Sequence, residues 1–197
     1  MSPRIRLATP ADAPAVRAIY RPIVEETAIS FEFEVPSEAE VTRRISAALE
    51  RAPWLLCEER DEVLGYAYAV PFRARAAYAW SVESSVYVDA SHQRRGVARG
   101  LYLSLLGCLR EQGFHRLVAG ITLPNPASVA LHERLGFEPV GSFRDVGNKF
   151  DAWHAVGFWE LKLQPLSGTP AWPLSVEEAS GRDGFSAALL AGSEGIR

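Results

Sequence analysis

A turn rich in arginine and glycine is the part of the sequence best suited to bind a ligand. Residues 82–88 read as a strand, residues 99–112 have the spacing of a helix, and a basic turn lies between them. This order directs free main-chain N–H groups and the positive end of a helix dipole at one point, where phosphate binds well. The turn has neither the P-loop nor the dinucleotide-binding signature. It therefore predicts an anion site, with a solvated turn that only caps the helix as the alternative; the residues are Arg94, Arg95, Gly96, Arg99 and Gly100.

The elements around this turn alternate between strand and helix spacing. Thr9 and Pro10 open a first helix, whose apolar stripe is interrupted by Pro22, so we expect this helix to kink or end there. The order of elements predicts a mixed α/β fold with antiparallel hairpins at both ends and a strand–helix–strand centre. The predicted strands are 5–7, 54–58, 63–70, 78–88, 117–122, 137–143 and 153–163, and the later helices are 37–51, 99–112 and a short one opened by residue 125.

Composition narrows the class of protein. The chain has 197 residues, 48% of them hydrophobic, with 21 basic and 24 acidic side chains and a net charge of −3. These values favour a globular protein and disfavour a nucleic-acid partner. No apolar run reaches the roughly 18 residues that cross a bilayer, and the first residues lack a secretion signal, so we expect no membrane partner and a cytoplasmic location. Cys57 and Cys108 lack metal-ligand spacing and are expected to be free thiols, with no metal bound.

The chain divides into a periodic part and a tail. Residues 1–163 are predicted to form one domain. Residues 164–197 are rich in proline, glycine and serine. We expect this tail to be an appendage that lies over the domain or is partly disordered, with one short helical turn at 185–190.

Several separated motifs resemble one superfamily. Residues 93–98 (QRRGVA) match the Q/R-x-x-G-x-G/A signature of the GNAT N-acetyltransferases, and residues 125–137 resemble their late helix and following strand. Within that superfamily the chain is most similar to the phosphinothricin and methionine sulfoximine acetyltransferases. The segments that carry this likeness are 72–78 (FRARAAY), 82–88 (VESSVYV), 92–94 (HQR) and 153–159 (WHAVGFW), and the resemblance spans residues 5–163.

The resemblance implies a single GNAT fold, with a mostly antiparallel sheet, flanking helices and a splayed parallel strand pair that binds acetyl-CoA. The main chain of one splayed strand would hold the pantetheine arm, and the basic turn would hold the pyrophosphate. Asn125 matches a cofactor-contacting position, although it is equally suited to cap the next helix. The implied cofactor-binding residues are Val86, Tyr87, Val88, Arg94, Arg95, Gly96, Val97, Ala98, Arg99, Gly100 and Asn125.

Two residues are candidates for proton transfer. Glu83 matches the family's proposed general base, which would deprotonate the acceptor amine through a water; a solvated glutamate at a strand end is the alternative. His132 occupies a position where many members of the superfamily have a tyrosine that protonates the leaving thiolate. An acid, a base relay and a packing residue all remain open for His132.

The acceptor site is implied by five residues. Arg73 and Arg75 alternate, so on an extended chain they point the same way and suit a carboxylate or phosphinate. Tyr78, Lys149 and Phe31 match family positions around the acceptor, with solvated surface cations as the alternative for the arginines and the lysine. Segment 29–34 is more acidic than expected for an anionic acceptor, and Ala155 replaces the family's usual aspartate.

Together these features predict an acyltransferase that moves acetyl from acetyl-CoA to the α-amine of a small amino acid-like acceptor by direct attack in a ternary complex. The expected acceptors are phosphinothricin, methionine sulfoximine and methionine sulfone. A protein N-terminus, an ordinary amino acid or a polyamine is the alternative amine, and a non-catalytic acetyl-CoA-binding module is the alternative class. Family members commonly form homodimers, so the resemblance makes a homodimer possible, and the sequence itself neither supports nor excludes one.

Overall fold

The computed structural model describes residues 2–166 and 168–197, and its central element is one mixed sheet. The strands are β1 (Arg4–Leu7), β2 (Trp54–Glu59), β3 (Glu62–Pro71), β4 (Ser81–Val88), β5 (Arg116–Leu123), β6 (Glu138–Lys149) and β7 (Ala152–Lys162). The helices are α1 (Ala13–Glu26), α2 (Glu38–Leu49), α3 (Val97–Gln112), α4 (Pro126–Arg134), α5 (Val176–Ser180) and α6 (Asp183–Ala191).

The seven strands follow the order β1-β2-β3-β4-β5-β7-β6, and the prediction of a mixed α/β fold is confirmed. Every neighbouring pair is antiparallel except β4 and β5. That parallel pair is joined by α3, as a parallel crossover requires. Its register covers only Ser81↔Arg116, Val82↔Leu117 and Glu83↔Val118, so the two strands separate after their first three pairs. The fold therefore contains the splayed strand pair that the resemblance implied.

The two faces of the sheet carry different helices, and β4 contributes to both. Val82 packs in the cluster that contains α3, whereas Tyr87 packs in the cluster formed with α1 and α2. Because side chains alternate along a strand, Ser84 shares the α3 face and Glu83 shares the α1–α2 face. The splayed region of β4 thus presents different chemistry on its two sides.

Three local predictions within the domain differ from the structure. Strand β6 continues to Lys149 instead of ending at residue 143. Helix α1 continues through Pro22 to Glu26, because the stripe that includes Val16, Ile19 and Val24 is buried and this packing outweighs the hydrogen bond that proline removes. Residues 78–80 are not part of β4, since Ala76–Tyr78 forms a short 3-10 turn and the strand begins at Ser81.

The tail lies against the domain. Helix α6 packs on α3 and β1, and its Phe185 is only 1% exposed. The helix covers Asp183–Ala191 and is therefore longer than the predicted turn at 185–190. Trp172 stacks on Trp80 at a ring distance of 4.8 Å. Burying one phenylalanine stabilises a fold by about 1.5–3 kcal/mol, enough to hold such a segment in place. In the part of the chain described, no helix has the length and apolar character needed to cross a membrane.

Candidate active site

The separation of β4 and β5 opens a cleft at the centre of the sheet. Glu83 and Val118 are the last paired residues, and beyond them the edge of β4 that faces β5 is unpaired within these two strands. Free main-chain N–H and C=O groups along such an edge can pair with an extended ligand, as in strand addition. The cleft is lined from β4, β5 and α4, by Ser84, Ser85, Val86, Tyr87, Gly120, Ile121, Thr122, Asn125, Ser128 and His132, with Ile29 and Tyr102 beside them.

The anion loop (residues 94–100) lies between β4 and α3. Arg94 and Gly96 have left-handed backbone, with φ of +61° and +89°, and Gly96 caps α3. The N–H groups from Arg95 to Arg99 donate to no protein acceptor in residues 2–166 and 168–197. Free N–H groups at a helix N-terminus attract anions, so the geometry fits the phosphate chemistry expected of this turn.

Arg95 differs from its predicted role at the rim of this loop. Its Nε donates to the carbonyl oxygen of Arg197, and its terminal NH2 group donates to Glu59 at 3.0 Å. The guanidinium is thus held by the chain terminus and by β2, contacts that a local motif cannot reveal. Arg94 and Arg99 remain exposed, and of the three predicted arginines they are the two free to meet a ligand.

Glu83 lies at the point where the strands separate. Burial raises the pKa of its carboxyl group, and the positive charge of Arg73 opposes that rise. A Cβ built on Gly120 would lie 3.4 Å from Oε1 of Glu83, so the absence of a side chain there leaves room beside the carboxylate. A half-buried carboxyl with a raised pKa beside a cleft is suited to general base catalysis.

His132 ends a buried hydrogen-bond chain on the other face. It is 3% exposed, and burial lowers its pKa, so the imidazole is neutral near pH 7. Its Nδ1 donates to the carbonyl of Ser128 at 2.7 Å, which leaves Nε2 as the acceptor for the hydroxyl of Tyr102, also at 2.7 Å. The Tyr102 oxygen lies 3.2 Å from the hydroxyl of Ser84, which therefore donates to it. The chain runs from the cleft to His132, which is its final acceptor.

A groove opens near Glu83 on the face opposite to α3. It has a volume of about 510 Å³, and its walls come from the chain after β3, the start of β4, and β5, β6 and β7. Arg73 and Tyr78 line this groove, and both also line a neighbouring pocket of about 360 Å³ together with Arg75. Arg73 and Tyr78 therefore lie at the acceptor groove, whereas Arg75 lines only the neighbouring pocket; all three are exposed.

The loop that follows α1 is joined to β6 by Phe31, which lies on the loop, and by Lys149, which ends the strand. The ring of Phe31 lies so close to Gly147 that no Cβ would fit there, and it also faces His154. Lys149 is 3% exposed, and its Nζ donates to the carbonyl oxygens of Val24 and Ser30 at 2.7 and 2.8 Å. Lys149 is therefore not the solvated surface cation that the sequence left as the alternative, and a contact between Lys149 and the acceptor stays a prediction. Its ammonium group ties β6 to the loop, because a buried charge needs such partners.

The acidic character of this loop is also neutralised locally. Glu32 pairs with Arg44 at 2.7 Å and accepts a hydrogen bond from Tyr20 at 3.1 Å. The repulsion of an anionic acceptor expected from segment 29–34 is accordingly weakened at this position.

Comparison with known proteins identifies the family. The family model for the acetyltransferase (GNAT) domain matches residues 5–155. A phosphinothricin N-acetyltransferase of Streptomyces viridochromogenes is 42% identical over 172 residues, which cover 87% of this chain and 94% of that protein. The chain belongs to the GNAT acetyltransferase family. An L-methionine sulfoximine/L-methionine sulfone acetyltransferase of Pseudomonas paraeruginosa is 37% identical over 172 residues, covering 86% of this chain and 100% of that protein.

Solved GNAT structures share the fold and carry the cofactor. A phosphinothricin acetyltransferase from Sinorhizobium meliloti in complex with acetyl-CoA has a TM-score of 0.83 and 34% identity, covering 87% of this chain and 94% of that chain. A putative acetyltransferase from Salmonella typhimurium with its cofactor acetyl-CoA also has a TM-score of 0.83 and 34% identity, covering 86% of this chain and 98% of that chain. The cleft and the anion loop of this GNAT chain provide the unpaired edge and free N–H groups that such a ligand requires.

Asn125 has a local role in this GNAT domain that the sequence anticipated. Its Oδ1 accepts the N–H of Ser128 at 3.1 Å and so caps α4. Asn125 also lines the cleft, and its contact with the cofactor stays a prediction. Among the described residues, no three His, Cys, Asp or Glu side chains are grouped so that they could hold a metal.

Sequence reasoning missed Tyr102 and gave Ser84 no role. Tyr102 lies among leucines on α3 and resembles a core residue in the apolar stripe. The only signal was its hydroxyl, which a fully buried tyrosine must pair with a partner.

Replacing Tyr102 by Phe should lower the free energy of unfolding by about 1–3 kcal/mol, because His132 and Ser84 lose a buried partner. Urea unfolding measures this. The matched control is Tyr78→Phe, which removes an exposed hydroxyl and should change stability by less than about 0.5 kcal/mol. Equal stability of the two variants would contradict the buried chain.

Proposed function

We propose that this GNAT chain transfers acetyl from acetyl-CoA to the α-amine of a small amino acid-like acceptor of the phosphinothricin and methionine sulfoximine class. The observation that carries this proposal is the position of Glu83. It lies where β4 and β5 separate, half-buried, with its pKa raised, on the face that opens into the acceptor groove. The curated relatives that match most of the chain are named for the same acceptors.

The side chains around the cleft would each perform one part of the transfer. Acetyl-CoA supplies the acetyl group as a thioester. The main chain of Val86, Tyr87 and Val88 would orient the pantetheine arm, and the anion loop, with the side chains of Arg94 and Arg99, would bind the pyrophosphate. An α-amine has a pKa of about 7.7–8.0 and is mostly protonated at neutral pH, so Glu83 would remove its proton through a bridging water.

The chain from Ser84 to His132 would handle the second proton. After the neutral amine has attacked the thioester carbon, its nitrogen carries a second proton, which would pass along the hydroxyls of Ser84 and Tyr102 to neutral Nε2 of His132. Once the imidazole is charged, the same chain can donate a proton back towards the cleft, where the thiolate of CoA departs. This assignment selects the relay among the three roles that the sequence left open for His132.

Transfer would be direct, without an acetylated cysteine. Burial raises the pKa of the Cys57 thiol to about 11 and that of Cys108 to about 12, so neither is a thiolate near pH 7. Both thiols are free and buried, which also supports the proposed cytoplasmic location, since reduced cysteines suit a reducing compartment.

The acceptor would be held from two sides. Arg73 and Arg75 would bind its carboxylate or phosphinate, with Tyr78 beside them. Phe31 would cover the acceptor from the loop after α1, and Lys149 would act on it indirectly, by fixing that loop. The partners proposed are therefore small molecules, with no role for nucleic acid or membrane.

Thiol release from acetyl-CoA across one acceptor panel tests the function. The panel contains phosphinothricin, methionine sulfoximine, methionine sulfone, the common amino acids, spermidine and a short peptide. We expect turnover with the first three, because they combine an α-amine with an anionic group. Preference for spermidine or the peptide would replace the proposed acceptor by another amine. No turnover in the presence of CoA binding would favour the non-catalytic module.

The homodimer stays a prediction. The outer strand β6 supports it, because Val140 and Phe143 are each more than 60% exposed and line the same groove, and exposed apolar side chains on one surface mark interfaces. Light scattering that gives the 21.6 kDa mass of one chain would contradict it.

A further inference from the structure

The last six residues of the chain, the terminal segment (residues 192–197), pack directly on the anion loop. A Cβ on Gly96 would lie 2.8 Å from the carbonyl oxygen of Gly195, and one on Gly100 would lie 2.5 Å from that of Gly192. Ile196 is 9% exposed and belongs to the main core cluster. Gly96 and Gly100, which the sequence suggested leave space for a ligand, therefore also leave space for the terminal segment.

The neighbouring turns anchor this segment at two further points. The N–H of Gly192 donates to Oγ of Ser104 on α3 at 3.1 Å, and the hydroxyl of Ser193 accepts the N–H of Ile5 on β1 at 3.1 Å. Ser104 in turn donates to the carbonyl of Leu189 at 2.7 Å. The segment is thus attached both to the helix that begins at the anion loop and to the edge of the sheet.

The hydrogen bonds between segment and loop use only one side of the loop. The N–H of Arg197 donates to the carbonyl of Arg95 at 3.0 Å, and the Arg95 guanidinium donates back to the carbonyl of Arg197. The loop's own N–H groups take no part, so they stay directed at the anion site. The segment therefore stabilises the loop without using the donors that a pyrophosphate needs.

The loop needs such support because its conformation is strained. Arg94 is a non-glycine residue with φ of +61°, a region that L-residues occupy at a cost and retain only when their surroundings hold them there. Glu59 holds the Arg95 side chain from β2, and the terminal segment holds both the guanidinium and the main chain of Arg95. These attachments on Arg95, the residue next to Arg94, keep the left-handed turn in place.

We propose that the terminal segment is a positioning element of the acetyl-CoA site, which keeps the anion loop in its binding conformation by holding Arg95 and packing on Gly96. This proposal rests on acetyl-CoA binding at the loop, which belongs to the proposed function. It assigns a role in the cofactor half of the reaction to a tail that lies beyond the residues matched by the family model.

Truncation after Ser193 tests this role. Loss of the contacts with Arg95 and Gly96 should raise both the Kd of CoA and the KM of acetyl-CoA about tenfold, the effect of losing one charge-assisted hydrogen bond. The acceptor KM should stay within about twofold, because the groove near Glu83 is built from other elements. Ile196→Ala should give the same pattern more weakly, and Ile196→Val should restore most of the affinity.

Controls separate positioning from general stability. Leu190→Ala removes an exposed apolar side chain of the same tail and should leave CoA binding unchanged. Combining Arg95→Ala with the truncation should raise the Kd by less than the product of the two separate effects, because both changes break the contact between Arg95 and Arg197. If the truncated chain does not fold, the Kd of CoA for Ile196→Ala tests the proposal instead.

Three results would overturn the proposal: folded variants that keep the CoA affinity of the full chain, equal changes in the KM of both substrates, or tighter CoA binding after truncation. Calorimetry measures the Kd of CoA directly, so this comparison needs no acceptor. Failure of the full chain to bind CoA would instead count against the proposed function itself.

Discussion

Glu83→Gln should lower kcat by about two to four orders of magnitude, the contribution of a positioned general base. Glutamine keeps the size and the hydrogen-bonding capacity of the side chain but cannot accept the amine proton. The anion loop and the unpaired edge of β4 are untouched, so the KM of acetyl-CoA should stay within about twofold. Steady-state kinetics with phosphinothricin or methionine sulfoximine measure both parameters.

The pH profile gives a second test of the same residue. A general base acts in its ionised form, and burial raises the pKa of Glu83, so kcat should rise with pH through that raised value. Removing the charge of Arg73, which lowers this pKa, should move the rising limb to higher pH in Arg73→Ala. The limb should be absent from Glu83→Gln, whose residual rate follows only the ionisation of the amine.

Glu62→Gln is the matched control, since the side chain of Glu62 is exposed at the start of β3. It should retain the kinetics of the parent enzyme. If Glu83→Gln matches this control in kcat, Glu83 is not the base. The relay that ends at His132 would then have to remove the amine proton.

The order of elements and the anion loop could be predicted because their signals are local. The glycines, the helix start and the alternating strand lie within about 20 consecutive residues, where spacing translates into geometry. Glu83 was proposed because it matches the family's general base in that strand, and its role stays a prediction. Residue spacing could not predict the point at which β4 and β5 separate, because that point is set by the last pair between the two strands, Glu83 and Val118.

Sequence reasoning missed contacts between residues that lie far apart along the chain. The carbonyl oxygen of Val24, which accepts a hydrogen bond from Lys149, lies 125 residues away along the chain. The carbonyl oxygen of Arg197, which accepts one from Arg95, lies 102 residues away. The sequence around such a cation gives no local sign that a distant carbonyl oxygen accepts its hydrogen bond. Gly100 was likewise read as space for a ligand, although the main chain of Gly192 fills it.

Replacing both Arg73 and Arg75 by Ala should raise the acceptor KM about tenfold to a hundredfold, because the net hydrogen bond of each exposed guanidinium contributes about 0.5–1.5 kcal/mol. Both side chains line one pocket with Tyr78, and both are exposed, so their loss should leave the fold intact. The KM of acetyl-CoA should change by less than about twofold, which separates an acceptor effect from general damage.

The double Lys variant distinguishes charge from geometry. Lysine keeps the positive charge but cannot form the paired hydrogen bonds of a guanidinium with a carboxylate or phosphinate. Its acceptor KM should therefore lie between those of the parent and the double Ala variant. Arg60→Ala, which removes an exposed arginine from the turn between β2 and β3, is the control and should leave both KM values unchanged.

An acceptor without the anionic group makes the test independent of folding. For an amine that lacks the carboxylate, the parent and the double Ala variant should have the same KM, because the arginines have nothing to bind. A KM that rises equally for both kinds of acceptor would mean that Arg73 and Arg75 shape the groove rather than recognise the anion. In that case the choice of acceptor would fall to the apolar walls of the groove around Phe72, Phe143 and Phe158.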